Sequence, residues 1–284
     1  MVRRQIYIPL VIGLLLSFAS NAQLLPSYGE ERAGLSAFTF LKLPIDPAST
    51  GVGGASLAMT EHSFGALINP ALISGGNQQG VFSANRALGG GINHDFVALT
   101  KARKNGQHIA LTLNSLSTGS IIERTVWQPE GTGATTSATL ASVGLGISQA
   151  FSEYFHAGVQ LKYGLEQLGV YRAHNVYLDL GFLYKLDIAD LQFAAALTNF
   201  GPNTPISNMP IGQESALAAS PQMFSMGIQW TAWENDDHSL TPSLQLNHPT
   251  DNAEFYAGGL KYQWRSQLWG AVGYQIGSQK ALPW

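Results

Sequence analysis

The chain has 284 residues, a formal net charge of -3 and no cysteine. Asp, Glu, Lys and Arg make up 12% of it, against about 25% in a typical soluble domain. The absence of cysteine excludes disulfides, thiol catalysis and Cys-ligated zinc. A small net charge without any basic stripe argues against a nucleic-acid partner.

Residues 1–22 have the features of a secretory signal peptide. Arg3 and Arg4 precede an apolar run, and Ser20-Asn21-Ala22 supplies small residues at the two positions that signal peptidase reads. We therefore expect cleavage before Gln23 and export of the protein. An uncleaved membrane anchor is the alternative, but the run is short, contains a proline and leads directly into the cleavage site.

Residues 23–79 show no regular alternation of apolar and polar positions. They contain several prolines, a glycine cluster and apolar residues in mixed spacing, and one short helix is predicted near Ala66. An apolar, glycine-rich segment of this length is not expected to be a free tail in water. We predict an irregular plug that packs against the strands that follow.

From about residue 80 the sequence alternates with a period of two. Between Val176 and Leu186 every second residue is apolar, whereas Asp179, Gly181 and Lys185 lie among the intervening residues. This pattern is typical of a strand with one apolar face. Eleven strands are predicted, at 80–89, 93–102, 107–117, 139–151, 155–166, 174–186, 190–199, 222–233, 238–247, 253–263 and 267–277.

The lengths of the connections distinguish a membrane barrel from a soluble sandwich. Connections after the second, fourth, sixth, eighth and tenth strands are tight. Those after the third and seventh are long, at 118–138 and 200–221, and those after the fifth and ninth are intermediate. Outer-membrane barrels have short periplasmic turns and longer external loops. The sequence thus predicts an all-β fold, a transmembrane antiparallel β-barrel over residues 80–284, with outer-membrane lipid around it. The plug, residues 23–79, then lies inside the barrel or across its periplasmic mouth, with a periplasmic N-terminus.

Five aromatic residues lie beside the tight turns, each at the parity of the apolar residues of its strand. A barrel carries such rings at the level of the lipid headgroups, although Tyr and Trp are also good strand formers in any sheet. The predicted girdle consists of Phe151, Tyr184, Trp230, Tyr262 and Trp264.

Eleven strands that start in the periplasm end outside the cell, whereas single-chain bacterial barrels have an even number of strands. The tail 279–284 contains Pro283 and does not alternate. We expect the barrel to be truncated at the C-terminus. A miscount by one strand within 80–117 is the alternative.

Residues 34–71 carry a resemblance to a known family. They include Gly51-Val-Gly-Gly-Ala55 and, further on, Asn69-Pro70-Ala71. This stretch resembles the PorV/PorQ family of Bacteroidetes-type outer-membrane proteins, relatives of the FadL fatty-acid channel. The resemblance implies a FadL-like barrel of about 14 strands and a role in type IX secretion. In that role the barrel binds the C-terminal signal of secreted cargo proteins and docks on a large translocon subunit.

Both motifs have more ordinary interpretations. Gly51, Gly53 and Gly54 resemble a dinucleotide loop, but the prolines before them spoil the buried strand that such a loop requires. We expect these glycines to let the backbone pass close to the barrel wall. Asn69, Pro70 and Ala71 form either a simple turn or a latch of the plug.

The sequence gives no sign of catalysis. Of the seven histidines, none forms a His-x-x-x-His pair, and no Gly-x-Ser-x-Gly elbow accompanies His62-Ser63. We expect no enzyme activity, no metal and no cofactor.

Two functions remain open. The first is cargo binding in type IX secretion, with the long connections as docking loops. The second is FadL-like transport of hydrophobic small molecules across the outer membrane. Polar residues at the inward-facing positions of the strands argue modestly against an apolar channel through the lumen. These residues include Ser142, Ser148, Gln160, Lys162, Ser225 and Gln229.

Overall fold

The computed structural model describes residues 35–60, 64–207, 217–265 and 267–277. The predicted signal peptide, His62-Ser63 and the tail 279–284 lie outside these residues. The described strands are β1 (Gly80–Gly89), β2 (Ile92–Ala102), β3 (Gln107–Ser117), β4 (Ile121–Ile122), β5 (Thr135–Thr136), β6 (Ala138–Ala150), β7 (Phe155–Leu168), β8 (Tyr171–Lys185), β9 (Gln192–Phe200), β10 (Thr204–Ser207), β11 (Leu217–Ala218), β12 (Met223–Gln229), β13 (Trp233–Glu234), β14 (His238–Pro249), β15 (Phe255–Trp264) and β16 (Leu268–Ile276).

Eleven of these strands form one antiparallel meander in the order β1-β2-β3-β6-β7-β8-β9-β12-β14-β15-β16. β4 and β5 form a separate hairpin, whereas β10, β11 and β13 branch from the meander. The predicted all-β fold with eleven strands is therefore confirmed. Two strands, 80–89 and 107–117, have the predicted bounds without change.

The differences from prediction lie at strand ends. β7 and β8 are longer than predicted and leave only Gly169 and Val170 between them, because Gly169 adopts a φ of 58° that suits a two-residue hairpin turn. The connection after the fifth long strand is thus tight, not intermediate. β12 ends at Gln229 instead of 233, and the chain then pairs again with β14 as β13.

The two faces of the sheet differ in the way that the alternation predicts. On β6, Leu145 is 65% exposed on the outer face, whereas Ser148 is fully buried on the inner face. The neighbouring strand β7 repeats this arrangement with exposed Leu161 and buried Gln160. An apolar outer face around a polar interior is the arrangement of a transmembrane β-barrel in lipid.

The described part of the plug contains only short helical turns. They are a 3-10 helix (Thr39–Lys42), α1 (Pro47–Gly51), α2 (Gly65–Ile68) and α3 (Leu72–Gly75). Asp46 begins α1 by accepting a hydrogen bond from the Ser49 amide at 2.8 Å. α2 contains Ala66, where the sequence predicts a short helix. No helix in the described part of the chain is long and apolar enough to cross a membrane.

The plug runs along the whole interior of the sheet. Ala37 donates its amide to the carbonyl of Ala219 at the end that carries the long connections, which we call the long-loop end. The chain reaches β1 at Gly80, at the opposite, short-turn end. On the way it contacts wall strands from β1, through Arg86, to β16, through Gln275. The sheet thus curls around a plug that spans it from end to end, not one confined to the periplasmic mouth. Which end faces the periplasm stays a prediction.

A substitution by arginine on the outer face tests whether that face contacts lipid. We predict that Leu161→Arg, near the middle of β7, lowers the free energy of unfolding by about 2–4 kcal/mol, because a charge at the bilayer centre is poorly solvated. Leu165→Arg, on the same face and four residues nearer the long-loop end, is the matched control and should cost about 0–1 kcal/mol. Urea unfolding in phospholipid vesicles measures both variants. Equal costs at the two positions would contradict a lipid-facing wall.

Candidate functional site: a plugged lumen and a seam in its wall

The glycine cluster of the plug lies against a pair of wall glycines. Gly259 of β15 and Gly273 of β16 are register partners, and Val52 packs against both of them. A Cβ on Gly53 would lie 2.6 Å from the amide nitrogen of Tyr274, so backbone meets backbone here. Gln275 also donates its side-chain amide to the carbonyl of Gly53 at 2.9 Å. No other residue type allows this approach.

The Asn69-Pro70-Ala71 motif lies against a second pair of wall glycines. Gly158 of β7 and Gly181 of β8 are register partners, and a Cβ on Gly158 would lie 2.5 Å from the carbonyl carbon of Pro70. Asn69 is fully buried. Its side-chain amide donates to the carbonyls of Leu57 (3.3 Å) and Phe182 (3.2 Å), and its Oδ1 accepts from the amide of Ala71 (3.0 Å). The motif therefore ties the turn of the plug to β8.

Polar contacts attach the plug at the short-turn end. The hydroxyls of Ser74 and Ser148 lie 2.7 Å apart, and Lys185 donates to the carbonyl of Gly75 at 2.6 Å. His108 is hydrogen-bonded to Asn77 at 3.1 Å. These contacts hold α3 and the residues after it to three different wall strands.

An apolar cluster fills the lumen at the long-loop end. We call it the mouth cluster, and it consists of Phe38, Phe40, Leu41, Leu116, Leu140 and Tyr177. The rings of Phe38 and Tyr177 pack edge to face at 5.5 Å. The amide of Phe38 donates to the carboxylate of Glu166 at 2.8 Å.

The wall is interrupted beside the mouth cluster. β8 and β9 pair from Lys185 up to Leu180, and then one β8 residue, Asp179, opposes two residues of β9, Thr198 and Asn199. This is a β-bulge. Asn199 has a φ of 57°, and β9 ends at the next residue.

Beyond the bulge, strand pairing gives way to side-chain contacts. Leu178 still pairs with Phe200 just past the bulge, and among the described residues β8 next has a strand partner on this edge at Ala173 and Arg172, which pair with β10. Between these two paired stretches, Asn175 donates to the carbonyl of Pro202 (2.8 Å) and to the hydroxyl of Thr204 (2.7 Å). We call this interruption, between residues 173–178 of β8 and residues 199–206, the seam. A Cβ on Gly201 would lie 2.8 Å from the ring of Tyr177, so the mouth cluster packs directly behind it.

A buried ionic group lies at the bulge. We call it the seam cluster, and it consists of Lys162, Asp179 and Asn199, each less than 10% exposed. Lys162 Nζ is 2.7 Å from Asp179 Oδ2 and also donates to Asn199 Oδ1. Asp179 Oδ1 accepts from the amide of Asn199 at 2.7 Å. One carboxylate thus holds both a charged side chain and the backbone of the bulge.

A small cavity lies in the lumen below the mouth cluster. Its volume is about 10 Å³, and it lies between the plug and polar wall residues that include Thr112, Ser142 and Gln160. This volume holds about one water molecule. The plug packs against the wall on either side of it through buried apolar residues such as Leu72 and Ile73.

The five predicted girdle residues lie at one rim of the sheet, at the short-turn end. Phe151, Tyr184 and Tyr262 are exposed there, and Trp230 and Trp264 are half-buried. The guanidinium of Arg265 lies 5.3 Å from the ring of Trp264. In an adjacent turn, the hydroxyl of Tyr154 donates to Asp187, and this hydrogen bond raises the pKa of Tyr154.

Sequence reasoning did not identify the seam or the seam cluster. It placed Lys162 and Asp179 on the inner face but gave them no role. The signal available was a lysine and an aspartate at inward positions of neighbouring strands in a chain with little charge. In the part of the chain that the structure describes, no three His, Asp or Glu side chains are grouped to hold a metal ion.

Comparisons with known proteins assign no family. No protein-family model matches the chain, and neither does any curated protein. Among solved structures, one similar chain is the CymD monoaromatic hydrocarbon channel, with a TM-score of 0.48 and 10% identity over 83% of this chain and 84% of that chain.

A substitution at Asn69 tests whether Asn69-Pro70-Ala71 is a latch of the plug. We predict that Asn69→Ala lowers the free energy of unfolding by about 1–3 kcal/mol, because it removes the partner of two buried carbonyls. Protease digestion should also cut the plug faster, and mass spectrometry of the fragments locates the cuts. Asn93→Ala, at an exposed position of β2, is the control and should leave both measurements unchanged. Unchanged digestion of the Asn69 variant would show that the motif is only a turn.

Proposed function

We propose that this protein is an outer-membrane channel for hydrophobic small molecules. One observation supports this proposal above the others: the seam between β8 and residues 199–206 lies directly against the apolar mouth cluster. Localisation in the outer membrane, with the long-loop end outside the cell, is part of the proposal. No catalytic step is involved.

The apolar surface of the mouth cluster is the part of the lumen that adjoins the seam. There, Phe38, Leu41 and Tyr177 offer an apolar surface. Farther down, plug residues such as Leu72 pack against the wall, among polar residues such as Gln160 and Ser148. A hydrophobic molecule that reaches the mouth cluster therefore has the seam beside it and the packed plug below it.

The seam offers a hydrophobic molecule an exit, because strand pairing is what normally closes a barrel wall. Backbone groups exposed to lipid must be hydrogen-bonded within the protein. At the seam, side chains such as Asn175 satisfy carbonyls that a neighbouring strand would satisfy elsewhere. Side-chain contacts of this kind can break without disrupting a continuous series of backbone hydrogen bonds between two strands. A hydrophobic molecule that leaves sideways enters lipid and avoids the packed plug.

A disulfide across the seam tests the channel. Ala173 and Ile206 are register partners on β8 and β10, and the chain has no cysteine of its own, so Ala173→Cys/Ile206→Cys forms a defined cross-link. We expect oxidation to reduce uptake of radiolabelled oleate to the rate of cells without the protein, and a reductant to restore it. The host cells lack their own hydrophobic channel.

A cross-link in the continuous wall is the matched control. Val143→Cys/Tyr163→Cys joins register partners of β6 and β7 and should leave uptake unchanged in both redox states. Uptake that survives a complete cross-link at the seam would refute exit through the wall. Uptake no faster than in cells without the protein would refute the channel itself.

Cargo binding in type IX secretion is a second candidate. The observation that favours it is the β4–β5 hairpin at the long-loop end, where Val126 and Trp127 are more than 90% exposed at the tip. Exposed apolar tips of this kind are characteristic of interaction sites. The secreted cargo and a large translocon subunit would be the partners.

Removal of this hairpin separates the two candidates. If the protein binds cargo, replacing residues 121–136 by a short glycine-serine turn should abolish capture of proteins with a C-terminal secretion signal from the native envelope. Oleate uptake should not change. The folded barrel, checked by its heat-dependent migration in gels, serves as the integrity control. Capture of the same proteins by the shortened variant would exclude the hairpin as their binding site.

A further inference from the structure

The bulge at Asn199 is held by side chains from three consecutive wall strands. Lys162 comes from β7, Asp179 from β8 and Asn199 from β9. Asp179 stands at the one position where the β8–β9 register shifts, and its carboxylate accepts the amide of the bulged residue at 2.7 Å. The cluster therefore replaces the strand pairing that the bulge removes.

The same cluster is linked to the far side of the seam. Asn199 donates its side-chain amide to the carbonyl of Pro221 at 3.3 Å, and Ser220 donates its hydroxyl to the carbonyl of Asn199 at 2.7 Å. Gln222 then donates its side-chain amide to the carbonyl of Gly201 at 3.2 Å. The segments on both sides of β9 are thus tied to one point.

Burial makes this point sensitive to the loss of either charge. Asp179 is 1% exposed and Lys162 is 8% exposed. When one partner of a buried ion pair is removed, the other is left as an uncompensated charge in a poorly solvated site. The lowest-cost response is for the bulge to open and admit water, because the strand already ends there. Buried pairs in a continuous wall have no such local release.

We propose that Lys162 and Asp179 are the latch of the seam: their ion pair, together with Asn199, holds the end of β9 against β8 and keeps the wall closed. This inference rests on the proposed channel for its physiological meaning. The opening of the seam itself is a property of the wall and is measured without transport.

Amide hydrogen exchange in detergent micelles, followed by mass spectrometry, tests the latch. In Asp179→Asn and in Lys162→Met, peptides that cover residues 196–207 should exchange at least about tenfold faster than in the wild type, because local opening limits their exchange. Peptides from β6 and β7 that exclude the substituted position should exchange at the wild-type rate. Heat-dependent gel migration establishes that each variant forms a folded barrel.

Two further variants separate a latch from general stabilisation. Lys42→Met breaks another ion pair, at 2.6 Å from Asp251, which ties the plug to the connection between β14 and β15. It should not change exchange at residues 196–207. The double variant Lys162→Met/Asp179→Asn leaves no unpaired charge, but it also lacks the ionic contacts to the bulge, so its seam should remain faster than wild type.

The outcomes are distinct. Wild-type exchange at residues 196–207 in both single variants would refute the latch, and so would equal acceleration across β6 and β7. Wild-type exchange in the double variant would show that only an unpaired charge opens the seam, which also overturns the latch. Faster exchange with faster oleate uptake supports both proposals. Faster exchange without any uptake retains the latch and counts against the channel.

Discussion

The structure depends on close contact between the backbone of the plug and the backbone of the wall. Two pairs of register-matched glycines, Gly158 with Gly181 and Gly259 with Gly273, provide that contact on different parts of the sheet. Each pair receives one motif of the plug. Because a Cβ at any of these positions would meet plug atoms, the wall and the plug are complementary at the level of main-chain shape.

The seam differs from the rest of the wall in how its backbone is held. Between most neighbouring strands of the meander, backbone ladders hold the wall, and plug contacts such as that of Asn69 hold the interior. At Asn199 both arrangements stop, and a buried ion pair takes their place. Buried charges contribute little net stability compared with apolar packing. In the proposed channel, an ion pair at this point suits a wall that opens.

The strands could be predicted because each depends on a local sequence pattern. The seam and its ion pair could not be predicted, because residues distant in sequence form them. Alternation with a period of two located 80–89 and 107–117 without error, since each side chain reports which face it occupies. The bulge at Asn199 leaves no such trace, because a one-residue insertion at a strand end resembles the start of a loop. Likewise, glycines in the sequence predicted close packing around Gly53, but only the fold shows that Gly273 lies opposite it.

The path of the plug has a consequence for how the molecule is assembled. The described plug extends from Ala37, near the long-loop end, to Gly80, near the short-turn end, and contacts wall strands on the way. A sheet that had already curled shut would have to be threaded by this segment along its full height. The wall must instead form around the plug, so the earliest part of the chain serves as the template on which the later strands close.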